Sequence, residues 1–304
     1  MSSDAARRAP PARLVVFHGL ASSPKEFGFL IHPLRREGIR LEAPEVPGYT
    51  GGLLAAPSRW QDWVEQASQA IARLSAASPE PFVLGGLCTG AMLALAVAGQ
   101  RPPPGLRGVA LLSPLFAYDG WGLPRWYALR RLAYALGLAR RFHMAERPPF
   151  GLKNERMRQW VRAQLAASEG ARARGAGRDE ATMVGPARVS LQVVRESERL
   201  SAHVLPLLPR LAVPVLAQHA RDDEICSLAS VRAALRGVAP RLLNLQVLEN
   251  SYHMITADND RHLVADRLAT FVQSLPFHPS LPAAGREPST TFFPGTQAGI
   301  GIAS

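Results

Sequence analysis

Residues Gly85-Gly86-Leu87-Cys88-Thr89-Gly90-Ala91 constrain this chain more than any other stretch. An apolar run, Phe82-Val83-Leu84, leads into them, and a helix-like segment with Met92, Leu93, Leu95, Ala96 and Val97 leads out. Glycines at both shoulders of a strand-to-helix turn permit a backbone approach that a larger side chain would block. The pattern is G-x-C-x-G, so Cys88 stands at the apex of a sharp turn where a serine nucleophile is usual. Cysteine keeps acyl chemistry available but changes its character. A thiolate is stabilised at a helix N-terminus and beside an imidazolium. Its acyl adduct is a thioester, still activated toward water, alcohols, amines and thiols.

The rest of the chain reads as strands alternating with helices. Short continuous apolar runs mark strands buried on both faces of a parallel sheet. They are expected at Leu14 to Phe17, Ile39 to Ala43, Phe82 to Leu84, Gly108 to Leu112, Val213 to Gln218 and Leu242 to Leu248. A helix is expected from Ser23-Pro24, with Phe27, Leu30, Ile31 and Leu34 inward and Gly38 as its stop. Two more are expected over Ser58 to Ala76, with Trp60, Trp63, Val64, Ala67, Ile71 and Leu74 inward, and over Asp260 to Leu275, with Leu263, Val264, Leu268, Phe271 and Val272 inward. Alternation of this kind gives an α/β fold with right-handed crossovers.

The alternation stops between Pro114 and Arg210. Trp121, Trp126, Tyr127, Tyr134, Phe142 and Trp160 lie here on helix-like patterns, with Pro148-Pro149 as a break. The segment is too long for a plain loop, and a helical cap over the sheet, inserted before the catalytic acid at about 114–210, is the expected arrangement. The expected domain is residues 13–275, with disordered ends at 1–12 and 276–304.

The chain carries a net charge of +11. Its basic residues are almost all arginine, with Lys25 and Lys153 the two lysines. They form no run and are not interleaved with base-stacking aromatics, which argues against nucleic acid as a partner. Seventeen Arg and Lys against eight Asp and Glu fall between Pro114 and Arg210, so the cap holds most of the excess. A few of its arginines could steer an anionic substrate or acyl carrier. Cys88 and Cys226 make no disulfide framework and no metal spacing, and Cys226 reads as a small buried hydrophobe. His203, His219 and the other histidines lack metal-ligand spacing, so no metal and no cofactor are expected. The first twelve residues lack the apolar core of a secretory signal, and no apolar stretch approaches the ~20 residues of a spanning helix. A cytoplasmic location is expected.

Acyl transfer needs a nucleophile, a base, a group orienting the base and donors for the oxyanion. Cys88, then Asp222-Asp223, then His253 follow one another along the chain, each just past the end of an expected strand. In open parallel sheets that edge is where sites form. Asp223 is preferred to Asp222 as the acid because it lies two before the branched Ile225; Asp222 would then be a solvated loop charge. His18-Gly19-Leu20 follows the first strand, so the backbone N–H groups of Leu20 and Thr89 are the expected oxyanion donors. His18 itself is expected to be structural.

With these residues in place, the chain resembles the carboxylesterase and monoacylglycerol-lipase branch of the α/β-hydrolase superfamily, the serine aminopeptidase S33-like enzymes. The resemblance spans roughly residues 13–275. It rests on His18-Gly19, Pro47-Gly48-Tyr49, the turn around Cys88, Arg221-Asp222-Asp223-Glu224 and Tyr252-His253-Met254-Ile255-Thr256-Ala257-Asp258. It implies an α/β-hydrolase fold and a hydrolase of small acyl esters or thioesters using a Cys88–His253–Asp223 triad. The chain departs from the branch in two ways. Its nucleophile is cysteine, as in dienelactone hydrolases and polyhydroxyalkanoate synthases of the same fold, and its insertion is longer and more basic than a minimal cap. The alternatives are an acyltransferase or a thioesterase releasing carrier-bound acyl chains, and a catalytically silent binding protein.

Overall fold

The computed structural model describes residues 12–51, 58–173 and 188–276. Six strands form one parallel sheet: β1 Ala12–Phe17, β2 Ile39–Glu42, β3 Phe82–Leu87, β4 Leu106–Leu112, β7 Val215–Ala220 and β8 Leu243–Leu248, in the order β2-β1-β3-β4-β7-β8. The central strands β3 and β7 are buried along their whole length, as a sheet covered on both faces requires. The two outer strands, β2 and β8, carry most of the part-exposed residues.

Two layers of helices cover the sheet. On one face, α1 (Gly28–Arg36) and α8 (Arg261–Gln273) bury Leu30, Leu34, Val264, Leu268 and Val272 against Leu14, Val16, Val83, Leu112 and Leu216. On the other, α2 (Trp60–Ala77), α3 (Thr89–Gln100), α6 (Leu191–Val204) and α7 (Leu228–Leu235) pack on Val15, Phe17, Leu84, Leu111 and Ala217. This is the α/β-hydrolase fold. Strand order reverses between β1 and β3, so the loops leaving their C-terminal ends diverge and open a crevice.

Between β4 and β7 lie a 3-10 turn at Arg125–Leu129, α4 (Arg130–Ala135), β5 (His143–Ala145), α5 (Glu155–Ala173), β6 (Arg188–Ser190) and α6. Strands β5 and β6 pair antiparallel, a small second sheet that the sequence did not announce. The aromatics of this insertion are less helical than their spacing suggested. Trp121 and Phe142 lie outside helices, and of the six only Tyr127 is in the buried core. Ile31 and Leu263, expected inward, are 44% and 40% exposed, because each sits on the flank of its helix beyond the sheet. The expected disordered ends fall outside the described residues, except that Ala12 begins β1 and the Pro276 carbonyl accepts a hydrogen bond from Arg107 Nε.

Candidate active site

Cys88 sits between β3 and α3 with φ 58° and ψ −121°, a conformation non-glycine residues rarely adopt. Its neighbours make the turn possible. A Cβ on Gly86 would lie 2.3 Å from the Gly90 carbonyl carbon, and one on Gly90 would lie 2.1 Å from the Phe17 carbonyl oxygen. Both shoulders must therefore be glycine. The apex is held from below by the Cys88 N–H, which donates to the Leu112 carbonyl at 2.9 Å. The thiol is partly exposed.

His253 follows β8, and its Nδ1–H donates to Asp223 Oδ2 at 2.8 Å, in a tautomer assigned from this network. Asp223 Oδ1 accepts from the N–H groups of Ile225 and Cys226, both at 2.9 Å, so the acid is fixed by its own loop. Asp222 points away and meets Lys153 Nζ at 3.3 Å. The geometry thus brings Asp223, not Asp222, to His253. Burial works against the charge on Asp223, yet the imidazole of His253, with His219 and the Cys226 N–H, holds it below the ordinary carboxylate range. Burial likewise opposes charge on His253. The Asp223 carboxylate and then Cys88 outweigh it and raise the imidazole well above its ordinary value. Its Nε2 is buried without a hydrogen bond of ordinary geometry. Cys88 faces the imidazole closely enough to raise it both through its charge and through a loose side-chain hydrogen bond. The second cysteine, Cys226, is buried, and burial pushes its thiol up to about 12.

The histidine loop is braced from several elements. Ser113 Oγ donates to the His253 carbonyl at 2.7 Å, and Met254 N–H donates to the Gly151 carbonyl at 2.8 Å. Asp258 is fully buried and accepts from the N–H groups of Lys153, Asn154, Tyr252 and Asn259. One carboxylate thereby ties the insertion to the loop that carries His253.

The expected oxyanion loop follows β1. Among the described residues, neither the Leu20 nor the Thr89 N–H donates to a side chain or to a backbone acceptor outside its own element. His18 is buried, with Nδ1–H donating to the Gly19 carbonyl at 2.9 Å and Nε2 accepting from the Thr50 hydroxyl at 2.8 Å. That hydroxyl is oriented by accepting the Val46 N–H. Burial, only partly offset by the Gly19 carbonyl, lowers His18 to about 4, so it is a neutral brace. Tyr49, from the Pro47-Gly48-Tyr49 turn, stacks on its ring at 5.0 Å and donates to the His18 carbonyl at 2.7 Å.

Cys88, His253, Gly19 and Leu20 all open into one cavity of about 830 Å³. The insertion supplies its apolar wall, with Leu123, Leu129, Leu132, Leu136, Phe142 and Val194. Three carboxyl groups that the sequence reading did not single out also reach it: Glu26, Glu146 and Glu224. Glu26 accepts the Gly19 N–H at 2.6 Å, and Glu224 accepts the His253 N–H at 3.0 Å. Glu224 stands beside Asp223 in the quoted Arg221-to-Glu224 segment, but Glu26 and Glu146 have no local pattern that marks them. Among the described residues no group of three His, Cys, Asp or Glu could hold a metal ion.

A family model described as serine aminopeptidase, S33 (Hydrolase_4) matches residues 8–260. No curated protein matches the sequence. Among solved structures, the chain is similar to a metagenome-derived lipolytic enzyme at 20% identity and TM-score 0.65, over 86% of this chain and 94% of the other. It is similar to the monoacylglycerol lipase of Paleococcus ferrophilus at 18% identity and TM-score 0.66, over 86% and 94%. A soluble variant of the Saccharomyces cerevisiae monoglyceride lipase, solved with a substrate analogue, gives 15% identity and TM-score 0.69, over 88% and 87%. At these identities the likeness is one of fold.

Proposed function

Because the chain belongs to the serine aminopeptidase S33 family, we propose that it is an acyl hydrolase of carboxylic esters or thioesters with Cys88 as its nucleophile. One observation carries this reading: a positive-φ cysteine at the strand-to-helix turn shares a cavity with a buried, Asp223-bound His253. The roles follow from chemistry. Cys88 Sγ attacks the acyl carbon as thiolate while His253 holds the proton on Nε2. The carbonyl oxygen becomes an oxyanion facing the Leu20 and Thr89 N–H groups, each such donor being worth ~3 kcal/mol in the transition state. Collapse breaks the bond to the leaving alcohol or thiol, which takes the Nε2 proton. Water, deprotonated by His253, then attacks the thioester and returns Cys88 as thiolate. The apolar wall of the insertion, acting as a cap, receives the acyl chain.

The experiment is turnover of p-nitrophenyl esters of graded chain length by wild type, Cys88→Ala and Cys88→Ser. Release of p-nitrophenol by wild type and its loss in Cys88→Ala are expected. Absence of both turnover and an acyl adduct leaves the silent binding protein.

A second reading, transfer from an anionic acyl carrier, is favoured by Arg125, Arg131, Arg140 and Arg141. All four are exposed on the insertion, and among the described residues none makes an ion pair. Its mark would be an adduct released only by an added alcohol, amine or thiol, with a salt-sensitive rate on carrier substrates that is lost when these arginines are neutralised. Rates independent of salt would remove it.

A further inference from the structure

The two peptide units joining His18, Gly19 and Leu20 carry four backbone polar groups, and the protein itself holds three of them. The His18 carbonyl accepts from the Tyr49 hydroxyl at 2.7 Å. The Gly19 carbonyl accepts from His18 Nδ1–H at 2.9 Å and from the Ser22 N–H at 3.2 Å. The Gly19 N–H donates to Glu26 Oε2 at 2.6 Å. Among the described residues the Leu20 N–H is left without a partner, and Leu20 lines the cavity together with Cys88.

Glu26 is the odd member of this set. The other holders are a hydroxyl, a backbone N–H and an imidazole that burial lowers to about 4, all neutral. Glu26 comes from the 3-10 turn Pro24–Phe27, is 3% exposed, and reaches the nucleophile. A Cβ placed on Gly19 would lie 3.2 and 3.3 Å from the two Glu26 carboxyl oxygens and 3.7 Å from Cys88 Cβ. A carboxylate there would face the Cys88 thiolate and the oxyanion, both negative, where little water screens the repulsion.

We propose that Glu26 is the positioning residue of the oxyanion loop: it holds the Gly19 N–H so that the Leu20 N–H meets the reacting carbonyl oxygen, and it does so during turnover as an uncharged acid. This rests on the acyl-hydrolase reading above and adds a residue and a pH dependence to it. Protonated, the carboxyl still accepts the Gly19 N–H through its carbonyl oxygen. Ionised, it opposes the thiolate and the oxyanion, and it holds on His253 the proton that the leaving group needs.

Burial pushes Glu26 up to about 7; the Gly19 N–H and the charge of His253 pull the other way and offset this only in part. Facing it are His253 from the loop after β8, Cys88 from the turn after β3, Tyr49, and the neutral His18. Lys25, on the same turn, is exposed. Glu146 and Glu224 line the cavity from other loops, and burial pushes both up to about 7 as well, so substitution has to separate the three.

The test is the pH dependence of kcat and KM on p-nitrophenyl butyrate. Wild-type kcat/KM is expected to fall about tenfold as pH rises through about 7, and again at the higher pH where His253 loses its proton. Glu26→Gln keeps an acceptor for the Gly19 N–H and cannot ionise. It should match wild type within about threefold at about pH 6 and exceed it about tenfold at about pH 8.5, a gain that a merely structural residue does not give. Glu26→Leu removes the acceptor and should lower kcat by up to about 10²-fold at every pH, with KM nearly unchanged. The fall near neutrality should persist in Glu146→Gln and Glu224→Gln. A wild-type rate that is flat between about pH 6 and about pH 8.5 overturns the proposal without any variant. So does a Glu26→Gln profile that keeps the wild-type fall, or a folded Glu26→Leu with wild-type kcat. Alkylation of Cys88 by iodoacetamide, read by intact mass, needs no turnover, and at about pH 8 Glu26→Gln should react several-fold faster than wild type. If wild type hydrolyses no ester while that difference remains, the chemistry fails and the charge effect of Glu26 stands. Equal alkylation rates overturn it.

Discussion

Asp222 and Asp223 are adjacent and chemically identical, and only their contacts separate them. Asp223 fixes the His253 tautomer, whereas Asp222 makes a surface pair with Lys153. Asp223→Asn should therefore lower kcat/KM by about 10⁴-fold through loss of the correct tautomer. Asp222→Asn should change it by no more than about twofold, as expected of an exposed ion pair. Steady-state kinetics on one ester checks both. The same pair predicts how stability varies with pH. His253 is raised in the folded chain, so its contribution is complete below its ordinary value and is lost as pH rises through the folded value. Asp223 is lowered, so its contribution is present above the ordinary carboxylate value and is lost as pH falls through the folded value. Melting temperatures across pH should show both losses in wild type and a flatter profile in Asp223→Asn. At this scale the sequence was partly legible. The order Cys88, Asp223, His253 could be read because each residue follows an apolar strand. The partners Glu26, Glu146 and Ser113 could not, because only the crossing of distant loops brings them to the site.

Strands were the most legible elements, because burial on both faces leaves an uninterrupted apolar run such as that of β3. Helix flanks were not. Ile31 and Leu263 fit the apolar spacing but lie beyond the reach of the sheet. The insertion was least legible: several of its large apolar residues line a cavity and do not fill a core, so Leu129, Leu132 and Leu136 are each about as exposed as polar residues, at 65%, 59% and 61%. The turn between β3 and α3 makes a sharper prediction. Gly90→Ala forces a Cβ into the Phe17 carbonyl and should prevent folding, read as loss of soluble protein or of a cooperative melt. Asp258 binds the insertion to the His253 loop through four backbone donors. Asp258→Ala should cost about 1–3 kcal/mol of stability, measured by denaturant unfolding, because it leaves those part-buried donors without their acceptor.

Seen whole, the molecule separates its functions by layer. The parallel sheet fixes Cys88, Asp223 and His253 at one edge, the insertion supplies an apolar wall, and Glu26, Glu146 and Glu224 reach the same cavity. If that wall receives an acyl chain, kcat/KM on p-nitrophenyl esters should rise with chain length by up to about fourfold per methylene, the equivalent of ~0.8 kcal/mol, until the cavity is full. Leu132→Asp with Leu136→Asp should flatten that slope and leave acetate ester rates nearly unchanged. The claim beneath all of this is that the cysteine at the turn is the working nucleophile. Intact mass spectrometry of the chain, acid-quenched during turnover of p-nitrophenyl octanoate, tests it most directly. A single octanoyl group mapping to Cys88 in wild type, and absent from Cys88→Ala, is the predicted result. Turnover that persists in Cys88→Ala, or an acyl group found on any other residue, would contradict it.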